Sequence, residues 1–272
     1  MMVLASLLVW VVVLPVANMH SAPSADADVV SQAGFASNVQ VEEEREGWLR
    51  IRTPDDYLGW VEASAVRKVD IPYARRGRVA IVDSIAAHLY RDASVTRFAP
   101  LLTVPYETRL EVVAEPDDDE RRWIQVRLPD DRAAWVQRGD VAFDHPVLPI
   151  GEVIELAKRF VGRPYTWGGA TSFGYDCSGY TQMLCRRLGK AIPRDSRPQA
   201  AWSAMEPVAQ EDLRAGDLLF FGEPGQRITH TGMYIGDGQF IHATAYQLPA
   251  VQISRLEDPH WTERLLAARR LK

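Results

Sequence analysis

The sequence predicts a multidomain chain: two small β-barrels in tandem, followed by a unit that mixes helices with an antiparallel sheet. Three observations predict it. The segment 48-WLRIRTPDDYLGWV-61 returns as 123-WIQVRLPDDRAAWV-136, without a gap and identical at seven of fourteen positions. Composition changes after the Pro-containing connector 144-DHPVLP-149, where helical periodicity begins. Two histidines then flank a Gly-Asp-Gly hairpin turn. The length of 272 residues also suits two or three domains better than one.

The N-terminal run 1-MMVLASLLVWVVVLPVANMHSAPS-24 admits two readings. Its length fits the apolar core of a secretory signal, with Ala17 or Ala22 near a cleavage site, although no Lys or Arg precedes it. It is short for a membrane span. Alternatively, Val11 to Met19, rich in β-branched residues, form the first strand of the domain that follows. Both repeats read as strand, Pro-Asp-Asp turn, strand, with alternating apolar positions, which predicts a β-hairpin. Short β-rich runs lie upstream, 38-NVQVEE-43 and 108-TRLEVVAE-115, and regularly spaced strands of this kind make a small barrel. Trp48, Trp60, Trp123 and Trp135 are expected to pack the barrels or their rims. The expected boundaries are 11–68 and 77–144 for the barrels and 150–272 for the last unit.

With 47% hydrophobic and 25% charged residues, the composition is that of an ordinary folded protein. A net charge of -5 and the lack of any Lys/Arg block argue against nucleic acid as a partner.

In the last unit Val153, Ile154, Leu156, Ala157 and Phe160 mark one face of a helix that Gly162 can terminate. Asp176 is a good N-cap for a second helix over 178–189, which sets Cys177 in its first turn. Unpaired backbone N–H groups and the helix dipole favour an anion there, so the position can lower a thiol pKa. Cys185, about two turns further on, is too far up the axis for a disulfide with Cys177 and reads as a small buried hydrophobe. His230 and His242 fall on the two strands of the hairpin, where His230, Gly232 and Tyr234 share one face. A helix-terminal cysteine and two histidines can supply nucleophile, base and orienting group, and Gly232 is expected to leave room for a substrate chain.

The order Asp-Cys-Ser-Gly at 176–179, His-Thr-Gly-Met-Tyr-Ile-Gly at 230–236 and Ile-His-Ala at 241–243 resembles the NlpC/P60 family of cell-wall cysteine peptidases. So do 164-PYTWGG-169, 193-PRDS-196 and 211-EDLRAGDLLFF-221, and the repeats resemble bacterial SH3 domains. The resemblance covers roughly 150–272 and implies a papain-like α+β core with Cys177 as nucleophile, His230 as general base and His242 orienting it. Together with two SH3-like domains it is similar to the γ-D-glutamyl-L-diamino acid endopeptidases, which cleave muropeptides carrying a free N-terminal L-Ala. By that resemblance Tyr57, Asp176, Ser178 and Ser196 hold the terminal amine, and Tyr165 either packs or donates its phenol hydrogen toward the substrate. That group also tends to present an acid from the first SH3 domain, where this chain has Ala22.

Other readings stay open. Asp176 also serves simply as a cap. One Cys and two His suit an open zinc site, but His20, His88, His145 and His260 have no partner at ligand spacing, so no metal or cofactor is expected. The SH3 pair could instead anchor an endopeptidase or amidase on polymeric peptidoglycan, or the whole chain could be a non-catalytic wall-binding protein. The expected partner is a small L-Ala-γ-D-Glu-diamino acid peptide, with Lys or diaminopimelate undecided and the protein a monomer. A free thiol suits a reducing compartment and peptide recycling suits the cytosol, whereas a signal at residues 1–10 would direct the protein to the envelope.

Overall fold

The computed structural model describes residues 9–114 and 122–272, in two compact units, Met1–His145 and Pro146–Lys272. In the first unit, β1 (Val9–Val12), β2 (Val16–His20), β3 (Val29–Gly34), β4 (Asn38–Arg45), β5 (Trp48–Arg52), β6 (Leu58–Glu62) and β7 (Val66–Val69) form one sheet in the order β3-β2-β6-β5-β4-β1-β7. The sheet closes on Val12, Met19, Val39, Leu49, Ile51 and Val61. The single strand expected over Val11 to Met19 is therefore two. Pro15 lacks the N–H a continuous ladder needs, and the chain crosses there from β4 and β7, the partners of β1, to β3 and β6, the partners of β2. Val11, Val12 and Met19 are fully buried, so this part of the apolar run is barrel core. The rest of the signal reading lies in residues 1–8, outside the described residues.

The second copy holds β8 (Val79–Val82), β9 (Ala86–Leu89), β10 (Leu102–Pro105), β11 (Arg109–Ala114), β12 (Trp123–Arg127), β13 (Ala133–Gln137) and β14 (Val141–Ala142). Its repeated hairpin has the register of the first: Arg50 faces Trp60, and Gln125 faces Trp135. Both Pro-Asp-Asp turns close with the second Asp in the left-handed region, Asp56 at φ 65° and Asp131 at φ 67°. Their N–H groups donate to Thr53 and Leu128. This is a Pro-initiated turn followed by a bulge residue. Between the copies Tyr73 is held at its backbone by the Asn38 side chain (2.7 and 2.9 Å), while its hydroxyl donates to the Arg127 carbonyl.

In the second unit, α1 (Ile150–Lys158) ends a turn earlier than the periodicity suggests, because Gly162 leaves the helix and donates to the Val251 carbonyl. A short hairpin, β15 (Ala170–Thr171) and β16 (Gly174–Tyr175), leads into α2 (Cys177–Arg187), and α3 (Ser196–Ala200) follows. Then come β17 (Met205–Val208), β18 (Leu218–Phe221), β19 (His230–Gly236), β20 (Gln239–Thr244), β21 (Ala250–Arg255), α4 (Pro259–Thr262) and β22 (Leu265–Leu271). They form an antiparallel sheet in the order β17-β22-β18-β19-β20-β21, and α2 packs against β19 and β20. Among the described residues no helix is long and apolar enough to cross a membrane.

Candidate active site

Helix α2 starts at Cys177 because Asp176 caps it: the carboxylate accepts from the Gly179 N–H at 2.7 Å. The glycine is required there, since a Cβ at 179 would come within 2.2 Å of the Gly169 carbonyl. Cys177 is buried, and its sulfur accepts from the backbone N–H groups of Ser178 and Thr231. Thr231 follows His230 on β19, so the strand that carries the first histidine passes beside the sulfur.

The two histidines meet. His230 Nε2 lies 2.7 Å from His242 Nδ1. Gly232 allows it, but not by leaving space for substrate as expected: a Cβ there would sit 2.9 Å from His242 Cβ and 2.8 Å from the Phe240 ring. The room beside the imidazole is already filled by neighbouring side chains. Trp261 on α4 stacks on His230 (centroids 5.3 Å, 28°) and meets His242 in a T-shaped contact (4.8 Å, 86°), covering His242 completely while His230 stays half-buried. Sequence reasoning missed Trp261, which no spacing links to the hairpin.

Burial rules the electrostatics. It pushes the Cys177 thiol up to about 12, Asp176 adding to the rise, whereas the Thr231 and Ser178 N–H groups and Arg194 pull down. The Ser178 N–H at the helix start pulls the pKa down in the expected direction, but burial outweighs it and the net shift is upward. Burial also pushes His230 down to about 3 and His242 well below the usual imidazole range. The resting pair is a thiol and a neutral imidazole, so the arrangement suits a proton transfer that accompanies attack rather than a preformed ion pair.

Around the thiol, Arg194 is the residue that sequence reasoning overlooked. Its guanidinium, 1% exposed, grips both Asp176 oxygens at 2.7 and 3.0 Å and also donates to Ser178 Oγ at 3.0 Å and the Gly169 carbonyl at 3.2 Å. Asp176 and Ser178 are thus already engaged. Tyr165 is half-buried close enough to Cys177 and Asp176 to feel both charges; burial raises its phenol, which stays a proton donor. Ser196 opens α3, half-buried. Tyr57 belongs to the other unit, in a groove of about 450 Å³ that Ala22 also lines and whose carboxylate is Glu43, paired with Arg45 at 2.5 Å. Among the described residues no group of three or more His, Cys, Asp or Glu side chains could hold a metal ion.

Comparison with known proteins matches residues 162–270 to the NlpC/P60 family, 15–67 to the bacterial SH3 domain and 82–143 to the YKFC SH3b2 domain. A gamma-D-glutamyl-L-lysine dipeptidyl-peptidase of Bacillus cereus is 31% identical over 256 residues, covering 88% of this chain and 74% of the relative. Its namesake in Bacillus subtilis is 28% identical over 255 residues, covering 90% and 82%. The crystal structure of an NlpC/P60 family protein from Bacillus cereus superposes with a TM-score of 0.83 at 26% identity, covering 97% of this chain and 99% of the other. With the helix-terminal cysteine and paired histidines in the matched region, this chain belongs to the NlpC/P60 family of cysteine peptidases and carries two bacterial SH3 domains ahead of its peptidase domain.

Proposed function

We propose that the protein hydrolyses the γ-D-Glu to L-diamino acid bond of peptidoglycan-derived peptides that begin with a free L-Ala. The observation that carries the reading is the extent of the likeness. The two dipeptidyl-peptidases align over 88% and 90% of this chain, through the SH3 domains as well as the peptidase domain. A shared catalytic domain alone would support only a peptidase of unspecified reach.

In the proposed mechanism Cys177 Sγ attacks the γ-carbonyl while its proton passes to His230. The tetrahedral oxyanion takes hydrogen bonds from the Cys177 N–H and the Tyr165 phenol. His230 then protonates the departing amine, and later takes a proton from the water that opens the thioester. His242 holds the imidazole in line. Within the peptidase domain, Ser178, Ser196 and Asp176 are assigned to the terminal amine on the resemblance. Arg194 already balances the Asp176 charge, so within that set Asp176 acts through Ser178 rather than as the sole counter-ion.

The test is a three-way comparison of L-Ala-γ-D-Glu-L-Lys, the same peptide N-acetylated, and intact sacculi. Release of L-Ala-γ-D-Glu from the free peptide, abolished by acetylation, is the expected result. Equal turnover after acetylation would remove amine recognition, and preference for sacculi would favour a wall-anchored endopeptidase.

A further inference from the structure

The geometry points to Ser254 as a positioning residue that sets which ring nitrogen of His242 carries hydrogen, and through it the ability of His230 to take the Cys177 proton. The inference rests on the catalytic reading of Cys177, His230 and His242 given above. Three neighbouring strands, β19, β20 and β21, each place one polar side chain in a row across the same face of the sheet. Ser254 faces Phe240, two residues before His242 and on its side of β20, so it reaches His242 diagonally. The row is continuous: His230 Nε2 to His242 Nδ1 is 2.7 Å, and His242 Nε2 to Ser254 Oγ is 2.9 Å.

Two linked hydrogen bonds through a neutral imidazole have a direction, because the ring has one N–H and one lone pair. In one direction His242 Nε2–H donates to Ser254 Oγ. His242 Nδ1 is then bare and accepts from His230 Nε2–H, which leaves the His230 Nδ1 lone pair for the thiol proton. In the other direction the serine hydroxyl donates to His242 Nε2. Every bond then reverses, and His230 Nδ1 carries a hydrogen and cannot act as a base.

The reaction itself selects between them. Once His230 has taken the proton, both its nitrogens carry hydrogen, so His242 must accept at Nδ1 and hold its own hydrogen at Nε2. Ser254 must then be the acceptor. His242 is 0% exposed, so without that oxygen the Nε2–H is a buried donor with its partner removed at the stage where charge develops. Ser254 is half-buried, which leaves its own hydroxyl hydrogen free to turn outward. The cost of losing Ser254 falls on the transition state more than on substrate binding.

The experiment compares wild type, Ser254→Ala, Ser254→Thr and Cys177→Ala. For turnover of L-Ala-γ-D-Glu-L-Lys, Ser254→Ala should lower kcat by about 10- to 100-fold with KM moved less than about threefold, and Ser254→Thr should restore kcat to within about threefold of wild type. Alkylation of Cys177 by iodoacetamide, followed by mass spectrometry, needs the same proton transfer and no substrate. It should slow in Ser254→Ala by a similar factor, so that failure of the substrate assignment is separable from failure of this inference. Nitrogen-15 NMR of the histidine rings should find hydrogen on His242 Nε2 in wild type and a mixed or reversed pattern in Ser254→Ala. Alkylation and kcat within twofold of wild type in Ser254→Ala, no rescue by Thr, or a bare Nε2 in wild type would each overturn the role of Ser254. Turnover surviving in Cys177→Ala would overturn the catalytic reading beneath it.

Discussion

Cys177 and Cys185 stand at the two ends of α2, both free, both buried, and both with thiols pushed up to about 12 by burial. Judged by resting acidity they are the same residue. They differ in what waits for the charge. Around Cys185 only Arg186 favours the thiolate, and its neighbours Met183 and Leu184 are fully buried hydrophobes. Around Cys177 two backbone N–H groups aim at the sulfur, Arg194 lies near, and His230 on the adjoining strand leads to His242. The lesson is that a nucleophile need not be ionised at rest; it needs groups whose interaction grows as the proton leaves.

Substitution of the sulfurs tests this most directly. Cys177→Ala should lower turnover of the tripeptide by about 10⁴-fold or more while the chain still folds, as measured by near-UV circular dichroism and product release. Next comes the clamp at the reactive end. Arg194→Met leaves the Asp176 carboxylate buried without its partner, and loss of one member of such a pair costs about 3–5 kcal/mol. Urea unfolding should report that loss. The Cys177 thiol should also become slower to alkylate, because Asp176 then raises its pKa without Arg194 to offset it.

The histidines predict a pH dependence that the Cys185 end lacks. His230 and His242 are held neutral by burial, so below an ordinary imidazole pKa of about 6.5 the unfolded chain binds protons that the folded chain does not. Stability is therefore fully present above that pH and declines as pH falls toward about 3, the folded value of His230. Urea midpoints at pH 7, 5.5 and 4.5 should fall in wild type and fall less in His230→Gln and His242→Gln. Parallel curves for all three proteins would show that neither ring is held neutral.

Much of this difference was legible in the sequence. Asp-Cys-Ser-Gly announces a capped helix with a cysteine at its start, and the spacing of His230 and His242 about Gly-Asp-Gly announces a hairpin that pairs them. The repeated Trp and Pro-Asp-Asp positions give both barrels their hairpin register. What stayed hidden depends on contacts between elements far apart in the chain. Arg194 reads as one basic residue in a loop until the fold lays it on Asp176, and Trp261 reads as one more aromatic until α4 covers the sheet. Gly232 looked like space for a substrate because strand alternation shows which face a residue occupies but not what fills it. The thiol pKa was only half legible for a related reason: the N–H groups of a helix start are visible in sequence, whereas the depth of burial that opposes them is a property of the packed domain.

The smallest effect is the sharpest control. Cys185→Ala removes one sulfur from a fully buried site on α2, and a void of that size costs on the order of 1–2 kcal/mol. Cys185→Ser keeps the volume nearly constant and exchanges the sulfur for a hydroxyl, which in a helix can donate to the carbonyl four residues back, so its cost should be similar. In both variants turnover per folded molecule should stay within about twofold of wild type and the Cys177 alkylation rate should be unchanged, while the urea midpoint moves down. Activity that tracked Cys185 instead, with Cys177→Ala still turning over substrate, would reverse the two roles. It would also mean that hydrogen-bond donors at a helix start do less for a buried thiol than the apolar packing two turns away.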